Sequence, residues 1–268
     1  MTTFLTVLIG FFTGILSGIF GIGGALLSTP AIRLVLHVKP LIAVGTTLPV
    51  IIPTATTAGI VYFRNGYVEK RAIMPTATAG ILGAILGSLA TAVISGNYLL
   101  IITALLIFAV GIQFIYRQRT LDTGKRDNTP ASILPLKEGG TKGGGHLTAK
   151  YVLTGLLVGF IGGLLGIGGG IILIPLFVFV LRIPLKKAFG TSLIIIAIMA
   201  VPGSVIHYLL GHIDVYLALL LAVGVIPGSY LGARITYLAK AKSLALAFGL
   251  IVILIAVWLG LNEVLLIV

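Results

Sequence analysis

The chain has 268 residues, 58% of them hydrophobic and only 9% charged, with 18 Lys and Arg against 6 Asp and Glu for a net charge of +12. Soluble domains carry about 25% charged residues and need them to cover their surface, so this composition excludes a water-soluble enzyme or nucleic-acid binder and makes the bilayer the solvent. Cysteine is absent, which removes disulfides, thiolate metal sites and cysteine nucleophiles.

In chain order, Met1-Thr2-Thr3-Phe4 lacks a basic region and leads into an apolar run longer than that of a signal peptide, so it reads as a retained membrane segment. Apolar segments cover about 3–19, 22–37, 41–63, 72–95 and 98–116. Residues 117–150 are rich in charge, Gly, Pro and Thr and read as a linker outside the membrane. Five more apolar segments follow at about 151–165, 168–184, 188–210, 215–238 and 243–261. Some 20 helical residues cross the roughly 30 Å hydrocarbon core, so the last three segments of each set are predicted to span. The first two of each set are shorter and are separated only by a glycine cluster. Each such pair is either a tight full-depth hairpin or a re-entrant one that turns back inside the bilayer.

The two sets are copies. A shift of 145 places residues 14–88 on 159–233 with 21 identities in 75 positions and no gap, nine of them glycines. Gly21, Gly23 and Gly24 fall on Gly166, Gly168 and Gly169, Pro30 on Pro175, Gly45-Thr46 on Gly190-Thr191, and Glu69 on Asp214. Shared glycines at matched positions mark a duplication. The domains are therefore 1–116, a first transmembrane repeat; 117–150, the linker; and 151–268, the second repeat.

Either hairpin gives each half an odd number of crossings, so the second half is predicted to lie inverted relative to the first. The charges agree. With the linker in the cytoplasm, 16 of the 18 basic residues lie inside and only Arg33 and Lys39 outside; four crossings per half would divide them 10 to 8. The positive-inside rule favours the inverted arrangement. The predicted fold is an all-α polytopic membrane protein, an inverted repeat of two five-segment halves with glycine-broken or re-entrant first hairpins. It sits as a multi-pass protein in the plasma (inner) membrane, with the linker cytoplasmic and both termini extracytoplasmic.

Inverted repeats with interrupted helices are a transporter signature, in which half-helix N-termini point their positive ends at anionic substrates near the midplane. The breaks here are Gly18-Ile-Phe-Gly-Ile-Gly-Gly24 and Gly163-Leu-Leu-Gly-Ile-Gly-Gly-Gly170. Glycine permits unusual backbone angles and a close approach of N–H groups to a ligand; the alternative is that these glycines serve close helix packing. The pattern Gly-x-x-Ser/Gly-Gly-x-x-Gly-x-Gly-Gly, then Pro, then Ala-x-Gly-Thr-Thr/Ser-Leu, present twice, resembles the TauE/SafE family of sulfite and organosulfonate exporters. The copies read GILSGIFGIGGALLSTP, AVGTTL and NGYVE, and GFIGGLLGIGGGIILIPL, KKAFGTSL and GHID. The resemblance covers nearly the whole chain outside the linker and implies export of a small sulfur-containing anion such as sulfite or sulfoacetate.

The residues themselves point to an anion. Apolar segments hold almost no carboxylate, which a cation carrier would need, whereas backbone N–H groups and hydroxyls can hold an anion without formal charge. The candidate substrate-binding residues are Gly21, Gly23, Gly24, Thr46, Thr47, Gly166, Gly168, Gly169, Thr191 and Ser192. The hydroxyls have a second reading as helix-to-helix or back-bonding groups. His207, matched to Tyr62, is a candidate proton-path residue or an interfacial histidine. Arg234 and Arg33 are candidate anion attractors at the two mouths or snorkelling side chains. No buried acid–base pair or metal cluster is visible, so an enzyme is disfavoured, and no cofactor or metal is expected. The expected partners are a small anionic substrate and the lipid bilayer, without nucleic acid; a homodimer stays open. An anion channel and a carrier for a non-sulfur organic anion are the competing functions.

Overall fold

The computed structural model describes residues 2–94, 96–121 and 144–265, and among these every regular element is a helix. They are α1 (Thr2–Phe20), α2 (Ala25–Val35), α3 (Pro40–Arg64), α4 (Lys70–Ala90), α5 (Gly96–Leu121), α6 (Gly144–Leu165), α7 (Gly170–Pro175), α8 (Leu185–Leu209), α9 (Val215–Leu238) and α10 (Ala241–Leu265). Most of the predicted linker, 122–143, lies outside the described residues; its flanks are the ends of α5 and α6.

Eight helices are long and apolar enough to cross a membrane, and two are shorter, Ala25–Val35 and Gly170–Val180, the latter being α7 continued by a turn of π-helix at Leu176–Val180. At 1.5 Å per residue such a short helix reaches about 16 Å, roughly half the hydrocarbon core. The second segment of each set is therefore shorter than its apolar run, because glycine turns precede it and sharp corners follow it. The corners match across the duplication: His37 and Arg182 both adopt positive φ, 53° and 54°.

α3 and α8 are the two most buried of the long helices and run antiparallel. Gly45 near the start of α3 abuts His212 beyond the end of α8, and Gly190 near the start of α8 abuts Tyr62 and Tyr67 at the end of α3. α5 and α10 are also antiparallel, with Gly111 against Gly249 and Ile253, and Gly260 against Ala104. Two further pairs are parallel. Gly10, Gly14 and Gly18 of α1 lie on the backbone of Leu221, Val225 and Ser229 of α9; Gly155, Gly159 and Gly163 of α6 lie on Thr76, Gly80 and Ala84 of α4. Lipid supplies no hydrophobic force between helices, so close backbone approach through small residues provides the packing. A methyl at any glycine of the two parallel pairs would meet main chain of the partner.

The corners gather at two ends. At one, the Glu69 N–H donates to Thr191 Oγ1 at 2.8 Å and Lys186 Nζ sits 5.9 Å from the Tyr67 ring centre. At the other, the Asp214 N–H donates to Thr46 Oγ1 at 2.9 Å and Arg33 Nη1 donates to the Val38 carbonyl at 3.2 Å. The basic corners 64–71 and 182–187 thus share one end, and the corners holding Arg33 and Lys39 share the other with His212.

Candidate functional site

The repeated glycines divide into two kinds by backbone angle. Gly14, Gly18, Gly159 and Gly163 sit inside helices and serve packing. Gly21, Gly23 and Gly24, and their counterparts Gly166, Gly168 and Gly169, all have φ between +66° and +89°. Three left-handed residues within four positions end a helix and turn the chain, which L side chains resist at roughly 1–2 kcal/mol each. Both clusters are therefore breaks, and the close-packing alternative applies to their helical neighbours.

The two breaks meet between the middles of α3 and α8. A Cβ on Gly23 would lie 2.5 Å from Ile196 Cδ1 and 3.2 Å from Ile51 Cγ2, and one on Gly168 would overlap Ile51. A Cβ on Gly170 would lie 2.7 Å from the Ile22 carbonyl oxygen, so the two tips touch. Ile51 and Ile196 are equivalent under the duplication and lie near the centres of the 25-residue helices α3 and α8. From this central point α2 and α7 start away in turn. Neither N-cap, Gly24 or Gly169, makes a side-chain cap hydrogen bond. The first N–H groups of a helix have no partner within it, so two helix starts with positive partial charge face the middle of the protein. Among the described residues no Asp, Glu, Lys or Arg is buried.

The four hydroxyl candidates are buried but not gathered at this point. Thr46 and Thr191 accept from the corner N–H groups of Asp214 and Glu69, at opposite ends. Thr47 donates to Ala43 and Val44 carbonyls and lies 2.7 Å from Thr29 Oγ1 of α2. Ser192 donates to the Gly21 carbonyl at 2.7 Å, so it holds the first break directly. Because α3 and α8 are antiparallel, the two hydroxyl pairs sit on either side of the breaks, each a little over one turn from Ile51 or Ile196 by helical rise. Arg234 is exposed and its guanidinium lies 4.6 Å from the Tyr230 ring centre; Arg33 is half-buried in the last turn of α2.

Three features of the site were not read from the sequence. The Tyr62 hydroxyl is 3.0 Å from the Gly18 and Ile19 carbonyls and from Thr236 Oγ1, latching the last turn of α1 before the first break. Phe20, Phe114, Phe189 and Phe248 pack together beside the same break, with Phe114–Phe248 centroids 4.7 Å apart. The centre is closed: a void of about 10 Å³ lies beside the second break, lined by Leu48, Ala84, Gly163, Gly168, Met199 and Gly203 among others. A larger cleft of about 510 Å³ between α3, α8 and α9, lined by Pro49, Pro53, Tyr208, Ile213 and Ala222, is almost wholly apolar and away from the glycines. His212, in the corner after α8, is held below the ordinary imidazole value of 6.5 by burial.

The sequence pattern of the family described as sulfite exporter TauE/SafE matches residues 6–259. The chain belongs to this family. It is 30% identical to a Xylella fastidiosa protein named "Probable membrane transporter protein", over 94% of this chain and 90% of that one. It is 24% identical to "Probable membrane transporter protein YunE" of Bacillus subtilis over 95% and 96% of the two chains, and 27% identical to MJ0441 of Methanocaldococcus jannaschii, named likewise, over 90% and 88%. No solved structure matches it. The protein is thus a TauE/SafE-family membrane transporter, all-helical and multi-pass, and its paired breaks lie within the matched region.

Proposed function

We propose that this TauE/SafE protein is a secondary carrier that exports a small sulfur-containing anion, sulfite or a short organosulfonate such as sulfoacetate, by alternating access. The observation that carries the reading is the meeting of two uncapped helix starts at the centre, with no carboxylate buried among the described residues. Such a site offers backbone N–H groups to an anion and no carboxylate to a cation. The substrate class and the direction follow the family's description. The two halves act as inverted copies in the plasma membrane, basic corners and linker inward and both termini outward. The antiparallel course of α3 and α8, and the shared end of corners 64–71 and 182–187, support that arrangement. Rocking of one half against the other would expose the tips first to one side and then to the other. The closed centre favours a carrier over a standing anion channel.

Reconstituted protein is expected to release preloaded sulfite or sulfoacetate from liposomes, and these anions are expected to raise its melting temperature. Flux and stabilisation by a non-sulfur dicarboxylate alone would replace the substrate. Unitary currents far above carrier turnover would replace the mechanism.

A further inference from the structure

We propose that His207 and His212 form a proton-binding site that strengthens anion binding at the second glycine break, and this rests on the transport reading above. His207 is fully buried, and neither of its ring nitrogens has a hydrogen-bond partner; Nδ1 of His212 is also buried and unpartnered. The two rings lie 5.4 Å apart, tilted by 57°. Three orphaned imidazole nitrogens in one place are costly to bury and call for a functional reason.

Packing does not supply that reason. The duplication places Tyr62 and Tyr67 at the equivalent positions, and the Tyr62 hydroxyl uses the C-terminal carbonyls of α1 fully. A tyrosine at 207 would meet the matching carbonyl of α6, that of Gly163. Instead the Gly163 carbonyl faces His207 without completing a hydrogen bond. It belongs to the last turn of α6, whose negative end favours an imidazolium. The void of about 10 Å³ is lined by Gly163, Gly168 and Gly203, and Gly203 is one turn before His207. That volume is about one water probe, and it lies between Gly203, one turn before the histidine, and Gly168 of the break.

Other groups leave the role to this pair. His212 is the titratable side chain that faces His207. Near Gly203, α3 brings Leu48 and α4 brings Ser88, whose hydroxyl makes a long 3.5 Å bond to the Gly163 carbonyl of α6 and leaves its second lone pair to the imidazole. Asp214, two residues past His212, is occupied in accepting from the Leu217 N–H at the start of α9. Imidazole is the side chain suited to exchange a proton near neutral pH. In this closed arrangement the His207 ring and Nδ1 of His212 are shielded from water. When the end bearing His212 opens, water reaches it, a proton binds, and the imidazolium donates to the Gly163 carbonyl. The positive charge then lies at the Gly163 carbonyl, on the α6 side of the second break, and attracts an anion bound at the α7 start. A proton held in one state and shed in the other biases the equilibrium between them.

The test uses the full chain in nanodiscs, with methanesulfonate and sulfoacetate as probes because the sulfonate charge is constant over the range used. Affinity is expected to rise at least about fivefold from pH 7.5 to pH 5.5, a difference of roughly 1 kcal/mol, and to lose that dependence in His207→Tyr. His212→Asn is expected to weaken it, which covers the case in which His207→Tyr does not fold. Independently of any ligand, ¹⁵N-imidazole NMR is expected to show a histidine that titrates between pH 5 and 8 and is missing from His207→Tyr. Unchanged pH dependence in both variants, or a His207 signal that does not move over that range, overturns the proposal. Absence of sulfonate binding at every pH in the unaltered protein overturns the substrate reading instead, with the NMR titration still deciding the proton site.

Discussion

The two glycine breaks have the same backbone and different surroundings. The first is latched by the Tyr62 hydroxyl and packed by Phe20, Phe114, Phe189 and Phe248. At the second, the duplication puts Leu165, Leu259, Val44 and Thr103 in place of the phenylalanines and His207 in place of the tyrosine. Gly203 stands where the first half has Ala58, and the void beside the second break borders it. A duplicated scaffold can keep its turns, which depend on backbone angles, while its side chains diverge. The divergence leaves one break sealed and satisfied, and the other less filled and bearing unpaired nitrogens.

The largest effect is expected at the breaks themselves. Gly23→Leu and Gly168→Leu force a side chain into left-handed backbone and into Ile196 or Ile51. Efflux of sulfite or sulfoacetate from liposomes should fall to background while the protein still inserts. Gly66→Ala and Gly211→Ala provide the control, since both have positive φ but open space around them. They should cost about 1 kcal/mol and retain efflux. Intact efflux in the leucine variants would remove the breaks from the transport site.

Phe248→Ala comes next, with a loss of about 3 kcal/mol for an emptied aromatic site. Thr103→Ala at the equivalent position should cost about 1 kcal/mol. Equal losses in thermal unfolding would erase the contrast between the two ends. The polar pair gives a difference in sign. Tyr62→Phe removes the tyrosine donor from the Gly18 carbonyl and from Thr236 Oγ1, while Thr236 still donates to the Ile19 carbonyl, and should destabilise by about 1–2 kcal/mol. His207→Phe removes unpaired nitrogens and should be neutral or stabilising.

Thr46→Val and Thr191→Val should each cost about 1 kcal/mol, because each removes the acceptor for one corner N–H. Nearly equal losses with unchanged substrate affinity would identify both as corner anchors; a selective rise in KM would return them to the site. The smallest effect is on pH dependence. Burial depresses His212 in the folded state from 6.5, so the unfolded chain binds more protons just below that value. Its contribution is complete above about pH 6.5 and is lost as pH falls through the folded value. The decline in melting temperature between pH 7.5 and 5.5 should therefore be shallower in His212→Asn.

Run length and glycine spacing made much of this fold legible. All ten segments lie where apolar stretches predict them, because a bilayer demands continuous apolar helices. The breaks were visible as glycine clusters at matched positions. The site was less legible. Thr46, Thr47, Thr191 and Ser192 read alike as hydroxyls, yet two of them bind corner N–H groups, one pairs with Thr29 and one holds the Gly21 carbonyl. Such partners lie 18 to 171 residues away, and nothing local in the sequence names them.

By itself the sequence determined the solvent, the duplication and the places where helices must stop, since each depends on composition, self-similarity or a local backbone requirement. Only the tertiary structure decided that the breaks touch, that α1 lies along α9 and α4 along α6, and that Tyr62 is satisfied while His207 is not. Those facts depend on which helix faces reach one another across long stretches of chain, and small-residue packing in lipid decides that through shape, which apolar periodicity does not encode.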